Sequence, residues 1–164
     1  MIELKYGLWI DDIGFLETEN QCVSPSDYCI DKNGNIWVLS KDMDLIFKYY
    51  SNLEYSGIYF STAAQTVLPS GISIDKLNRF HIGCEQTDSI YIFDEQGVYT
   101  GSYYESIGYV DRTGRIYATK SGKIVIECTV SNSFYLYDEI GVYTSRFWSR
   151  EYFEKYKDIT LEIY

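Results

Sequence analysis

Shifted by 44 positions, the 164-residue chain lies on itself without a gap. Pro25, Asp31, Lys32 and Ile46 fall on Pro69, Asp75, Lys76 and Ile90. Cys84, Ile90, Tyr91, Asp94, Gly97 and Val98 fall on Cys128, Phe134, Tyr135, Asp138, Gly141 and Val142. One phrase makes the period visible: FDEQGVY at 93–99 returns as YDEIGVY at 137–143, and IDDIGFL stands at 10–16. A fixed period in the forties means stacked supersecondary units, none of which can bury its apolar faces alone.

Each unit carries four short stretches in which apolar and polar residues alternate. In the middle unit these are GISID at 71–75, RFHIGCE at 79–85, SIYIFD at 89–94 and VYTGSYY at 98–104. The first unit has DYCID, NIWVLS, LIFKYY and EYSGIYF, and the third has RIYAT, KIVIECT, SFYLYD and VYTSRFW. Period-two alternation over five to seven residues, bounded by Gly, Asn and Asp, predicts strand–turn–strand, here strands A to D. Four-stranded units that bury both faces against their neighbours make the chain all-β, with the architecture of a β-propeller of antiparallel blades. The repeated phrase is then the C–D hairpin. Its Asp accepts from a backbone N–H two residues on, and its Gly takes the positive φ that closes the turn. The first unit has YSNL there, with Asn52 as a partial substitute. A paired-carboxylate reading of the Asp-Glu dipeptide explains this spacing less well than the turn does.

The whole chain, 1–164, is predicted to be a single domain with units at 25–68, 69–112 and 113–156. A fourth blade is split between 1–24 and 157–164. IELK at 2–5 supplies its strand B, residues 8–11 and 15–18 supply C and D, and DITLE at 158–162 matches strand A. A four-bladed ring closed by both termini leaves no blade with an unpaired edge. The alternative is an eight-bladed homodimer in which end strands pair with a second copy.

The middle unit, PSGISIDKLNRFHIGCEQTDSIYIFDEQGVY at 69–99, resembles an NHL-type propeller repeat. Pro69, Gly71, Asp75, Phe93, Asp94 and Gly97 carry the likeness, as do Pro25, Asp31, the NGN at 33–35 and Trp37 in the first unit. The third unit keeps mainly the second half. The family's Asn-x-Arg before the third strand is replaced, with Asp88 and Asn132 in that place and no Arg following. The resemblance implies a propeller, and propellers of this kind include protein-binding scaffolds, sugar-binding domains and calcium-dependent lyases and hydrolases.

Charge narrows the choice of partner. A net charge of −10 argues against nucleic acid and against anionic membranes, and it suits a basic protein surface. No stretch approaches the ~18 apolar residues of a membrane span. MIELKYGLWIDDIGF has no basic start and no uninterrupted apolar stretch, and the four cysteines show neither C-x-x-C nor metal spacing. A cytoplasmic protein with free thiols is the resulting expectation.

A convergent catalytic set is not visible. The one histidine, His81, sits within strand B and reads as packed and hydrogen-bonded between blades. DKNGN at 31–35 resembles the start of a calcium loop, but Ile36 stands where Gly is needed and a strand follows, so an A–B turn is expected. Cys84 and Cys128 share one position in successive blades, on the face of Phe80 and Ile82, and read as small core fillers. No catalytic residue, metal ligand or cofactor is predicted.

The D-to-A segments differ from blade to blade, and loops that vary on a rigid ring are where partners are met. The last, SREYFEKYK at 149–157, carries Arg150, Tyr152, Phe153 and Tyr156 beside Arg146 and Trp148. Aromatics with Arg suit a binding surface, although the helical spacing of Tyr152, Phe153 and Tyr156 equally suits a short helix capping the ring. The candidate binding residues are Arg146, Trp148, Arg150, Tyr152, Tyr109, Glu105, Glu85 and Asp88. The function expected is non-catalytic protein binding, by a monomer or homodimer, through one loop-bearing face. A carbohydrate-binding lectin and a metal-dependent lyase or hydrolase are the alternatives.

Overall fold

The computed structural model describes residues 22, 24–103, 112–147, 149, 151 and 153. Twelve strands form three sheets, each a four-stranded antiparallel meander. Blade 1 holds β1 (Pro25–Ile30), β2 (Ile36–Ser40), β3 (Leu45–Tyr49) and β4 (Tyr55–Ser61). Blade 2 holds β5 (Pro69–Ile74), β6 (Phe80–Cys84), β7 (Ser89–Phe93) and β8 (Tyr99–Tyr103). Blade 3 holds β9 (Thr113–Ala118), β10 (Ile124–Cys128), β11 (Ser133–Tyr137) and β12 (Tyr143–Phe147). Each strand starts 44 residues after its equivalent in the preceding blade.

The period is also written in the backbone. Ser24, Leu68 and Arg112 have φ of 51°, 57° and 58°, and Asp44, Asp88 and Asn132 have 51°, 52° and 49°. Gly34, Asn78 and Gly122 share the next left-handed position, and Leu53, Gly97 and Gly141 the one after. Residues of very different intrinsic preference adopt the same conformation, so the turn geometry is imposed by the ladders on either side.

The C–D turn works as the residues require. Asp94 Oδ1 accepts from Gln96 N at 3.0 Å and Val98 N at 2.8 Å; Asp138 Oδ1 accepts from Ile140 N at 3.1 Å and Val142 N at 2.7 Å. In blade 1, Asn52 Oδ1 accepts from Glu54 N at 3.1 Å, and Leu53 takes the left-handed position. The A strands begin earlier than their alternation suggests, at Pro25, Pro69 and Thr113. A bulge follows the proline in β1 and β5 and breaks the alternation there. Proline, lacking an N–H, is tolerated as the first residue of a strand.

The sheets approach one another most closely along β1, β5 and β9, which therefore form the hub from which the blades fan out. All of β2, β6 and β10 is buried on both faces. Trp37, Leu39, Ile46 and Phe60 of blade 1 pack against Ile72, Ile74, Phe80, Ile82 and Phe93 of blade 2. Ile90 of blade 2 joins Ile116, Ile124, Ile126, Cys128, Tyr135 and Tyr137 of blade 3. Gly71 lies where β5 and β9 nearly touch, and a Cβ there would overlap the Gly114 carbonyl. Cys128 joins the core between blades 2 and 3, Cys84 is buried with its thiol against the 62–68 loop, and no disulfide joins the four cysteines. This is an all-β propeller arrangement of four-stranded blades. The fourth blade expected from 1–24 and 157–164 lies outside the described residues, apart from the loop positions 22 and 24.

Candidate binding face

At one end of the stack each A strand begins and each B strand ends, so the D–A and B–C loops share this face. They are tied together by a bond that recurs in every blade: Lys41 N to Ser24 O at 3.0 Å, Glu85 N to Leu68 O at 3.4 Å, and Thr129 N to Arg112 O at 3.1 Å. The loop at 62–68 is fixed further. Thr62 N donates to Asp44 O at 2.8 Å, and the buried Thr62 and Thr66 hydroxyls bond at 2.8 Å. Cys84 Sγ lies 2.8 Å from Val67 O. On this rigid loop Val67 and Leu68 are 51% and 44% exposed, and Leu68 is left-handed. Met43 and Val130, on the B–C loops of blades 1 and 3, are exposed at the same end. Leu68 shares this conformation with Ser24 and Arg112 at the same register, and what sets it apart is the exposed apolar side chain.

Of the residues that the sequence singles out, Glu85 and Asp88 lie on this face. Glu85 pairs with Lys41 of blade 1 at 2.8 Å, and that hydrogen bond holds its carboxyl below the ordinary range. Asp88 Oδ1 accepts at 2.8 Å from Arg112 N, in the segment that leads into β9 of blade 3. Both residues therefore clasp adjacent blades. The Arg146 guanidinium lies 5.0 Å from the Tyr135 ring centre and donates to Ser133 Oγ at 2.9 Å. Glu105, Tyr109, Trp148, Arg150 and Tyr152 lie outside the described residues. Phe153 turns inward, as a capping turn requires. Its N–H bonds to Ser149 O at 3.1 Å, and its ring stacks on Phe134 at 4.0 Å.

Sequence reasoning missed a charged pair at the hub. Asp27 of β1 is 3% exposed, and its Oδ2 accepts from Ile72 N of blade 2 at 3.0 Å. Its Oδ1 lies 3.5 Å from Arg115 Nε of blade 3. Burial pushes the Asp27 carboxyl up to about 7, against the opposing pull of the Ile72 N–H and Arg115. Positions 27, 71 and 115 are one register of the repeat. Opposite charges at its two ends, with glycine between, were the available signal.

The single histidine lies near the other end. His81 Nε2 is 3.1 Å from Asp75 Oδ2, which Arg79 also approaches at 2.7 Å. Burial lowers the His81 pKa. For Asp75, burial raises the carboxyl pKa, but the His81 and Arg79 hydrogen bonds outweigh it and hold it well below the usual range. Trp37, the equivalent of His81, makes the same contact, donating Nε1 to Asp31 Oδ2 at 3.2 Å. His81 is thus a strut of the A–B turn. Asp31 likewise caps its own turn, accepting from Asn33 N and Asn35 N at 2.8 and 2.9 Å. Among the described residues no three His, Cys, Asp or Glu side chains gather as a metal-holding group.

No family model and no curated protein matches the chain. Solved structures do match in fold. Hydrazine synthase of Kuenenia stuttgartiensis aligns at a TM-score of 0.59 and 8% identity, over 83% of this chain and 39% of that one. Virginiamycin B lyase from Staphylococcus aureus aligns at 0.56 and 13%, over 76% and 41%. A gluconolactonase-like protein aligns at 0.60 and 14%, over 80% and 50%. The chain thus spans half or less of the length of these propeller proteins, and the likeness is one of fold.

Proposed function

We propose that the chain is a non-catalytic, NHL-like propeller that binds a protein partner through the face carrying its D–A and B–C loops. The observation that carries this reading is the Val67–Leu68 ledge, apolar, exposed and held by the hydrogen bonds of its loop. Rigid apolar side chains beside charged groups suit the centre of a protein interface, since little conformational entropy is lost on docking. Lys41, Glu85 and Asp88 provide the polar surround. The net charge of −10 favours a basic partner surface. The lyase, lactonase and synthase activities named for the structural neighbours belong to those proteins. In this chain His81, the histidine that such chemistry could draw on, is committed to Asp75.

The test uses Leu68→Asn, because asparagine tolerates the left-handed backbone while removing the apolar surface. Proteins captured from the producing cell by wild type, Leu68→Asn and Val142→Asn are compared quantitatively. Val142 is exposed on a C–D turn at the opposite end. A partner lost with Leu68→Asn and retained with Val142→Asn, all three variants melting alike, is the expected result. Capture indifferent to Leu68, or dependent on Val142 instead, rules out this face.

A further inference from the structure

Position 27 of blade 1, position 71 of blade 2 and position 115 of blade 3 stand side by side at the hub, at the end where the D–A and B–C loops gather. Gly71 contributes no side chain, so Asp27 and Arg115 meet across blade 2. The pair is poorly made for stability. Asp27 is 3% exposed, and a buried carboxylate is destabilising unless it is closely partnered. It receives two backbone N–H groups, from Ile72 at 3.0 Å and from Tyr28, and one guanidinium nitrogen at 3.5 Å. A charge-assisted pair built to compensate burial closes to about 2.8 Å and engages both oxygens with the guanidinium fork. The Arg115 side chain remains 42% exposed. Its described partners, Asp27 and Tyr117, engage only part of a group with five donors. Glu127, 4% exposed, accepts from the Arg115 backbone N–H at 3.3 Å and so fixes the strand from which the side chain springs. Ser70 and Thr113 hydroxyls, 3.1 Å apart, join β5 to β9 at the same level. Among the described residues the guanidinium is thus held by a buried carboxylate with donor capacity left, on a side chain 42% exposed.

We propose that Arg115 anchors a binding site for a small oxyanion, a carboxylate or phosphate group, at the hub of the loop-bearing face. Asp27 is its positioning residue. A half-exposed, oriented guanidinium matches the planar fork of a carboxylate or two phosphate oxygens. Retaining a destabilising buried acid to orient it is the pattern of a site rather than of a strut. The surroundings sharpen the claim, because a chain of net charge −10 repels small anions in general. Saturable anion binding therefore requires a specific cation. The site is independent of the protein-docking reading and takes a different ligand.

Calorimetric titrations with inorganic phosphate and, separately, with citrate test it on the whole chain. Wild type should show one saturable site, weakened at least tenfold by Arg115→Gln, partly restored by Arg115→Lys, and unaffected by Lys32→Gln, an exposed lysine. Phosphate binding without citrate binding assigns a phosphoryl ligand, and citrate binding without phosphate a carboxylate ligand. If Arg115→Gln misfolds because Asp27 is left alone, the double variant Asp27→Asn/Arg115→Gln removes both charges and serves in its place. No saturable binding of either anion overturns the proposal. So does equal binding in the Arg115 variants, or a matching loss with Lys32→Gln.

Discussion

Asp27 shows how one residue's surroundings set the pH response of the fold. Its carboxyl rises from the ordinary 3.8 to about 7 because the folded chain buries it. Between these values the folded state holds a proton that the unfolded state has released, so this group's contribution to stability is full below about pH 4. It is lost progressively as pH rises through 7, by an amount on the order of 4 kcal/mol. His81 acts in the opposite sense. Its pKa is lowered on folding, so its contribution is present above its unfolded value of 6.5 and shrinks as pH falls below that. Asp27→Asn isolates the first effect. Thermal melts from pH 4.5 to 8 should show the variant gaining on wild type as pH rises. A constant difference across that range would mean that Asp27 does not titrate there.

At the scale of the element, the C–D hairpin shows which parts of a repeat are chemistry and which are context. Asp94 and Asp138 each satisfy two backbone donors, and Gly97 and Gly141 supply the left-handed residue. Blade 1 makes the turn with Asn52 and Leu53 instead. Its Leu53 packs with Phe47, Tyr49 and Tyr55, so apolar burial offsets the backbone penalty. Removing the aspartate anchor where no such packing exists should be felt directly. Asp138→Ala is expected to lower stability by about 1–2 kcal/mol, from two lost hydrogen bonds on an exposed turn. Urea denaturation measures this. An effect below a few tenths of a kcal/mol would show that the β11–β12 ladder holds the turn unaided.

For the molecule as a whole, each seam between blades combines an apolar cluster with polar ties. Between blades 1 and 2 these are Asp27 to Ile72, Lys41 to Glu85 and Tyr59 to the Glu95 carbonyl. Between blades 2 and 3 they are Ser73 to Ala118 N at 2.8 Å, Asp88 to Arg112 N, and Lys76 to Glu139 at 3.1 Å. The exposed ion pairs add little, and the buried clusters carry the coupling. Strong seams make neighbouring units unfold together. Equilibrium unfolding followed by far-ultraviolet and near-ultraviolet circular dichroism should give one coincident transition. Two separated transitions would mean that the seams are weaker than the blades they join.

The repeat determined the strands, their turns and the burial of both faces of β2, β6 and β10, because periodicity and turn chemistry are local properties that each unit carries complete. It also placed Asp31 and the Asp-Glu phrase in turns, whereas the equivalence of His81 and Trp37, each bonded to the aspartate of its A–B turn, appeared only in the packed strands. The sites at the loop-bearing end were much less legible. Asp27 and Arg115 meet only because Gly71 leaves room across a whole blade, and Val67 and Leu68 are functional candidates only because the Cys84 thiol and the Thr62–Thr66 turn pin them outward. Such contacts depend on the angle and spacing between sheets, which no single unit encodes. The periodicity therefore specified the blades, and their packing decided which side chains face one another and which face the solvent.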